Sequence, residues 1–213
     1  MAYTTLLYDL DNTLYPPDSG VWEEIGKRID LYIHNLLRVP REEIPGLRHS
    51  LYLKYGTSLR GLQILYQVDP VEYLTFVHDI PLHNLLKPDP RVHQAIRRYP
   101  QRRAIFTNAD RAHARRVLEV LELSDCFSEI IDILDIAPYC KPMPEAFEVV
   151  LQRLGVSSSA ECILIDDTPS NLKAARELGF YTVMVGSNGC PSSDYHAGIR
   201  SIADLPSALD PIL

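Results

Sequence analysis

Apolar side chains recur along this chain in two rhythms, and the change from one to the other divides it. Residues 4–8 (T-T-L-L-Y) are a short β-branched and apolar run that reads as a buried strand. A loop marked by Pro16, Pro17 and Gly20 follows. Val21, Trp22, Ile25, Ile29, Ile33, Leu36 and Leu37 then recur at helical spacing, with Glu23, Glu24, Lys27, Arg28 and Asp30 between them, which predicts an amphipathic helix. Further helices are expected at 47–55, 59–66 and 71–78, punctuated by Pro40, Pro45, Pro70 and Pro81. Residues 15–85 therefore read as a helical insert, rich in tyrosine. From Leu86-Lys87-Pro88-Asp89-Pro90 onward the rhythm alternates. Helices are expected at 90–99, 110–121, 144–154 and 169–178, and strands at 103–107, 129–134, 162–165 and 181–185. A last short apolar piece covers 202–209. Strands alternating with helices imply parallel β-α-β units with right-handed crossovers, hence an α/β doubly wound parallel sheet.

Composition narrows the function classes. The 213 residues are 46% hydrophobic and 23% charged, as suits a domain with a real core. A net charge of −7 leaves no basic surplus to replace the counterions of a nucleic-acid backbone. No apolar run approaches the ~20 residues of a membrane span, and the first residues lack the pattern of a secretory signal. Cys126, Cys140, Cys162 and Cys190 are widely spaced, as reduced thiols would be. The expected setting is cytoplasmic, as a monomer or homodimer with neither nucleic-acid nor membrane partners.

Four polar features sit where the predicted strands end. Asp9 and Asp11 follow the first strand, and alternation along a strand would point both at one place. Two converging carboxylates need a cation between them, and oxygen ligands suit magnesium; the same D-x-D-x-T residues also make an ordinary turn. Thr107 and Asn108 could bind a phosphate at a strand end or simply cap the next helix. Lys141 precedes a helix N-terminus, where a lysine opposes the dipole unless an anion is near; otherwise it is an exposed loop residue. Asp166 and Asp167 follow a buried strand, with Thr168 as N-cap and Pro169 at the first helical position. One acid there would decorate a helix; two are better explained as cation ligands.

Taken in order, Asp9-Leu10-Asp11-Asn12-Thr13-Leu14, Thr107-Asn108, Lys141-Pro142 and Asp166-Asp167-Thr168-Pro169-Ser170-Asn171 resemble the four motifs of the haloacid dehalogenase superfamily of phosphatases. The resemblance implies a phosphatase core of residues 1–14 and 86–213, with a helical cap of residues 15–85 inserted after the first strand. It implies Asp9 as nucleophile, Asp11 as general acid and base, and Mg2+ bound by Asp9, Asp11 through its backbone carbonyl, and the pair Asp166 and Asp167. Of that pair Asp167, with Asn171 four residues on, matches the main ligand better. Thr107, the Asn108 amide and Lys141 would bind the phosphoryl oxygens. Lys54-Tyr55-Gly56-Thr57-Ser58-Leu59-Arg60-Gly61-Leu62 and the segment 86–90 further resemble the pyrimidine 5'-nucleotidase branch. Tyr55 and Arg60 would then contact a pyrimidine nucleoside monophosphate, or else be plain core and surface. The alternatives are a phosphatase or mutase for another small phosphomonoester, such as a sugar phosphate or pyridoxal phosphate. A response-regulator receiver has its acids in the other order, and a catalytically silent scaffold would not need every motif intact.

Overall fold

The computed structural model describes residues 3–187 and 192–213. Cys190 lies outside the described residues. Among the described residues six strands form one all-parallel sheet: β1 (Thr5–Tyr8), β2 (Arg102–Phe106), β3 (Glu129–Ile131), β4 (Cys162–Asp166), β5 (Tyr181–Val185) and β6 (Ala197–Ile199). Their order is β3-β2-β1-β4-β5-β6. The chain steps from β1 outward to β2 and β3, then returns to the other side of β1, so the winding reverses between β1 and β4. In open α/β sheets that crevice, at the carboxyl ends of the strands, is where ligands bind. In register, Tyr8 lies level with Ile105 of β2 and Ile165 of β4, so Asp9 and Asp166 end neighbouring strands at the same height.

Chain order gives α1 (Val21–Leu37), α2 (Ile44–Tyr55), α3 (Ser58–Tyr66), α4 (Pro70–Val77) and α5 (Leu82–Leu85) between β1 and β2. They are followed by α6 (Pro90–Arg97), α7 (Arg111–Val120), α8 (Pro144–Leu154), α9 (Pro169–Glu177) and α10 (Leu205–Leu209). The chain divides into two compact units: the sheet unit, up to Pro17 and from Leu86, and a helical unit, Asp18–Leu85. The central strands are almost wholly apolar, as strands covered on both faces must be. On one face Leu7, Phe106 and Leu164 pack with Phe147, Val150 and Leu172. The Phe106, Phe147 and Phe180 rings meet edge-on at 5.5 and 5.7 Å. Cys126, Cys140 and Cys162 are buried. Among the described residues no helix is long and apolar enough to cross a membrane.

Four features differ from the sequence reading. The strand expected at 129–134 stops at Ile131, because the Asp132 carboxylate takes the backbone N–H groups of Arg111 (2.7 Å) and Asp135 (2.9 Å) and so turns the chain. Strand β6 and the short α5 lack a period to betray them. In the helical unit, α1 buries Val21, Ile25, Ile29, Tyr32 and Ile33 but leaves Trp22 50% and Leu36 43% exposed, so its packed stripe is narrower than the apolar pattern. Tyr32 fills that unit's centre, edge-on to Tyr73 (5.0 Å) and Phe76 (5.5 Å).

Candidate active site

Each polar motif arrives at the sheet's carboxyl edge on its own strand. After β1 the backbone turns at Asp11–Thr13, where Asn12 takes a left-handed conformation (φ 62°) that asparagine tolerates better than most residues. The Asp9 N–H bonds to the Ile165 carbonyl (2.9 Å), extending the β1–β4 ladder by one step and bringing Asp9 beside Asp166. Lys141 comes in from the segment before α8. Its place is fixed by a reciprocal pair with Asn108: the Asn108 amide donates to the Lys141 carbonyl, and the Lys141 N–H donates to Asn108 Oδ1, both at 2.9 Å.

Lys141 is 1% exposed. Its ammonium donates to Asp9 Oδ1 (2.8 Å) and Asp166 Oδ2 (2.7 Å). That burial excludes the alternative of an exposed loop lysine, since an ammonium at this depth requires anionic partners. Burial pulls its pKa down, but the carboxylates of Asp166 and Asp9 outweigh that and raise it, keeping it charged. Asp166 is saturated: besides Lys141 it accepts from the Thr168 N–H (2.8 Å) and from Asn171 Nδ2 (3.1 Å to each oxygen). Asp9, Asp166 and Asp167 each bring a carboxylate oxygen within 4.8 Å of the others. Burial, then the neighbouring Asp166, pushes Asp167 up to about 6. Thr13 Oγ1 reaches both Asp9 (3.3 Å) and Asp167 (3.5 Å).

The remaining expectations divide. β1 ends at Tyr8, so strand alternation does not govern Asp11, which lies in the turn that follows. Its Oδ1 receives the Tyr15 hydroxyl (2.6 Å) and lies 2.9 Å from His113 Nε2. Neither partner stands out in the sequence, where Tyr15 reads as loop and His113 as helix. Asp-x-x-x-Tyr across a tight turn is the signal available for the first; nothing local joins His113 to a residue a hundred positions earlier. Thr107 is buried, and its hydroxyl accepts from the Ala109 N–H (3.0 Å). The cap of α7 is neither Thr107 nor Asn108 but Asp110, which accepts from the His113 N–H (2.8 Å). Thr168 occupies the cap position of α9 with Pro169 following, but its hydroxyl faces Asp167 (3.3 Å) in place of a backbone amide. Tyr55 and Arg60 belong to the helical unit. Tyr55 ends α2 against Gly61, and Arg60 lies half-buried in the first turn of α3, its N–H bonded to the Thr57 hydroxyl (3.0 Å).

A second convergence of metal-type donors, His93, Asp125 and Cys126, is satisfied as it stands. Asp125 is paired with Arg97 and with His93 (3.2 Å), and burial, with Asp125 beside it, pushes the Cys126 thiol up to about 11.

The chain is 31% identical over 192 residues to Phosphate metabolism protein 8 of Saccharomyces cerevisiae, a match covering 84% of this chain but 60% of the yeast protein. Two solved structures share the fold over nearly their whole length. One is YfnB of Bacillus subtilis bound to magnesium (TM-score 0.65, 18% identity, 99% of this chain and 100% of that one). The other is a phosphatase from Thermococcus onnurineus (TM-score 0.63, 21% identity, 98% of each chain). The profile of the haloacid dehalogenase-like hydrolases matches residues 3–179, from the start of β1 past α9 and so through all four polar motifs, and the chain belongs to that family.

Proposed function

We propose that this protein is a magnesium-dependent phosphomonoester hydrolase working through an aspartyl-phosphate on Asp9. The observation that carries the reading is the buried Lys141 ammonium spanning Asp9 and Asp166 beside Asp167. Three carboxylates gathered round one cation carry surplus negative charge, and all-oxygen donors suit a hard divalent ion. With Asp166 saturated by Lys141, Thr168 and Asn171, the ligands would be Asp9, Asp167 and the Asp11 carbonyl, while Asp166 orients the lysine. A bound Mg2+ would offset repulsion between an anionic nucleophile and an anionic substrate.

The chain's own residues do the rest. The Asp9 carboxylate attacks phosphorus as the ester bond breaks, and the departing oxygen takes its proton from Asp11. Water then attacks the aspartyl-phosphate and gives its proton to Asp11, restoring Asp9. The Thr107 hydroxyl, the Asn108 N–H and the Lys141 ammonium bind the phosphoryl oxygens.

The substrate we infer is a pyrimidine nucleoside monophosphate. Its support is the sequence around Tyr55 and Arg60 in the helical unit, whose ring and guanidinium suit a base and its carbonyls or a ribose hydroxyl. The yeast relative's name, which links it to phosphate metabolism, suits any phosphomonoester. Phosphate release from nucleotides, sugar phosphates and pyridoxal phosphate, measured side by side, decides between these substrates. UMP and CMP should lead, and Asp9→Asn should be inactive yet folded, with Asp11→Asn slowed ~10²–10⁴-fold. An active Asp9→Asn enzyme would defeat the phosphatase reading; a panel led by sugar phosphates would defeat the nucleotidase alone.

A further inference from the structure

Asp11 is held in a way the four motifs do not account for. Two side chains from different parts of the sheet unit meet its Oδ1: Tyr15, four residues on across the turn, and His113, from α7. Tyr15 and His113 are buried, and Asp11 is half-buried. Tyr15 is 5% exposed, and the side chains of His113 and Asp11 are 0% and 11% exposed. Putting a phenol, an imidazole and a carboxyl together away from water costs several kcal/mol unless they satisfy one another. A turn needing only to be closed would do as well with apolar side chains.

Each partner is itself anchored. The His113 N–H is capped by Asp110 at the start of α7, and α7 follows directly from the Thr107-Asn108 end of β2. The Tyr15 phenol donates its O–H to Asp11 Oδ1 at 2.6 Å. The Asp11 carboxyl is therefore tied through one oxygen to both its own turn and the helix leaving the neighbouring strand.

We propose that Tyr15 and His113 are positioning residues for proton transfer, aiming the Asp11 carboxyl at the leaving-group oxygen. The proposal rests on the reading of Asp11 as general acid and base. Neither residue touches the phosphoryl group; each acts through Asp11. In the first step the P–O bond breaks, its electron pair goes to the leaving oxygen, and the Asp11 proton goes with it. A poorly aimed carboxyl penalises this step in proportion to how much the leaving oxygen needs a proton. An alkoxide, such as a ribose 5'-oxygen, needs one badly; a nitrophenolate hardly needs one.

The test is kcat/KM, which reports on events up to departure of the alcohol, for UMP or another alkyl phosphate turned over by the wild type and for p-nitrophenyl phosphate. Tyr15→Phe and His113→Leu should lower kcat/KM on the alkyl phosphate by about 10- to 100-fold, part of the ~10²–10⁴ that general acid catalysis supplies. The loss should lie in kcat, with KM little changed, and the aryl phosphate should lose several-fold less. His113→Gln, whose amide returns an N–H near the position of Nε2, should recover most of the difference. Thermal unfolding and magnesium affinity, followed alongside, report on assembly of the site. Equal losses on the two substrates, or a glutamine variant no better than leucine, would overturn the proposal and make the pair a structural clamp. So would unchanged kinetics in both Tyr15→Phe and His113→Leu. A wild type that hydrolyses neither ester would instead overturn the phosphatase reading beneath it.

Discussion

Lys141 is the residue on which the site's electrostatics turn. Without it the carboxylates of Asp9 and Asp166 would be buried with no cation, and removing one partner of a buried ion pair costs about 3–5 kcal/mol. Lys141→Met should therefore lose stability of that order in urea unfolding with chelator present. The loss should be larger at pH 8 than at pH 5, because at low pH a carboxyl can shed its charge by taking up a proton. Equal stability of the variant and the wild type at pH 8 would mean that the three groups do not depend on one another as their distances imply. Asp167 is the complementary case: the Lys141 ammonium bonds to Asp9 and Asp166 instead, and Asp167 carries a raised pKa of about 6.

At the scale of elements, α2 and α3 approach as closely as a glycine permits. A Cβ on Gly61 would fall 2.6 Å from Leu51 Cδ2 and 2.9 Å from Tyr55 Cδ2. Gly61→Ala should destabilise by about 1–3 kcal/mol through overpacking, reduced by the better helix propensity of alanine. A Cβ on Gly46, also in α2, would meet nothing within 4 Å, so Gly46→Ala should stabilise by about 0.4–1 kcal/mol. Paired thermal melts of the two variants check both signs. Because Tyr55 forms part of the Gly61 contact, Gly61→Ala should also raise KM for a nucleotide more than for a small aryl phosphate, if Tyr55 stacks on the base. Arg60→Ala should shift KM in the same sense, by removing binding common to ground and transition states.

For the molecule as a whole, magnesium should couple stability to pH with a definite sign. An ordinary aspartate titrates near 3.9 in the unfolded chain, but Asp167 holds its proton to about 6 when folded. As pH rises from about 4 to about 6, the metal-free folded state binds more protons than the unfolded state, and stability falls. Burial and Asp166 set that shift, and Lys141 opposes it only in part. A cation ligated by ionised Asp167 reverses the penalty. At about 100 times its Kd the metal adds ~2.7 kcal/mol, which for a chain of this size is roughly 5–10 °C in Tm. Melts with and without magnesium should show that increment at pH 7.5 and lose about half of it at pH 5, and Asp167→Asn should abolish it. The same increment at both values would remove Asp167 from the metal site.

The sequence by itself determined the division at residue 86, the strands β1, β2, β4 and β5, and the order of the polar motifs, because these depend on local period and on residue type at strand ends. It also marked Asp9, Asp11, Thr107, Asn108, Lys141, Asp166 and Asp167 as one set. Tertiary structure decided what each carboxylate faces. Lys141 became the buried bridge between Asp9 and Asp166 only when β1 and β4, more than 150 residues apart, came into register. Asp11 gained Tyr15 and His113 as partners because the strand ended at Tyr8 and a turn replaced its alternation. Strand β6 was legible only as the neighbour of β5, and His113 only as the neighbour of Asp11. A side chain's charge and propensity are local and can be read along the chain. Its partner is selected by packing across the sheet, where residues distant in sequence share the cost of leaving water.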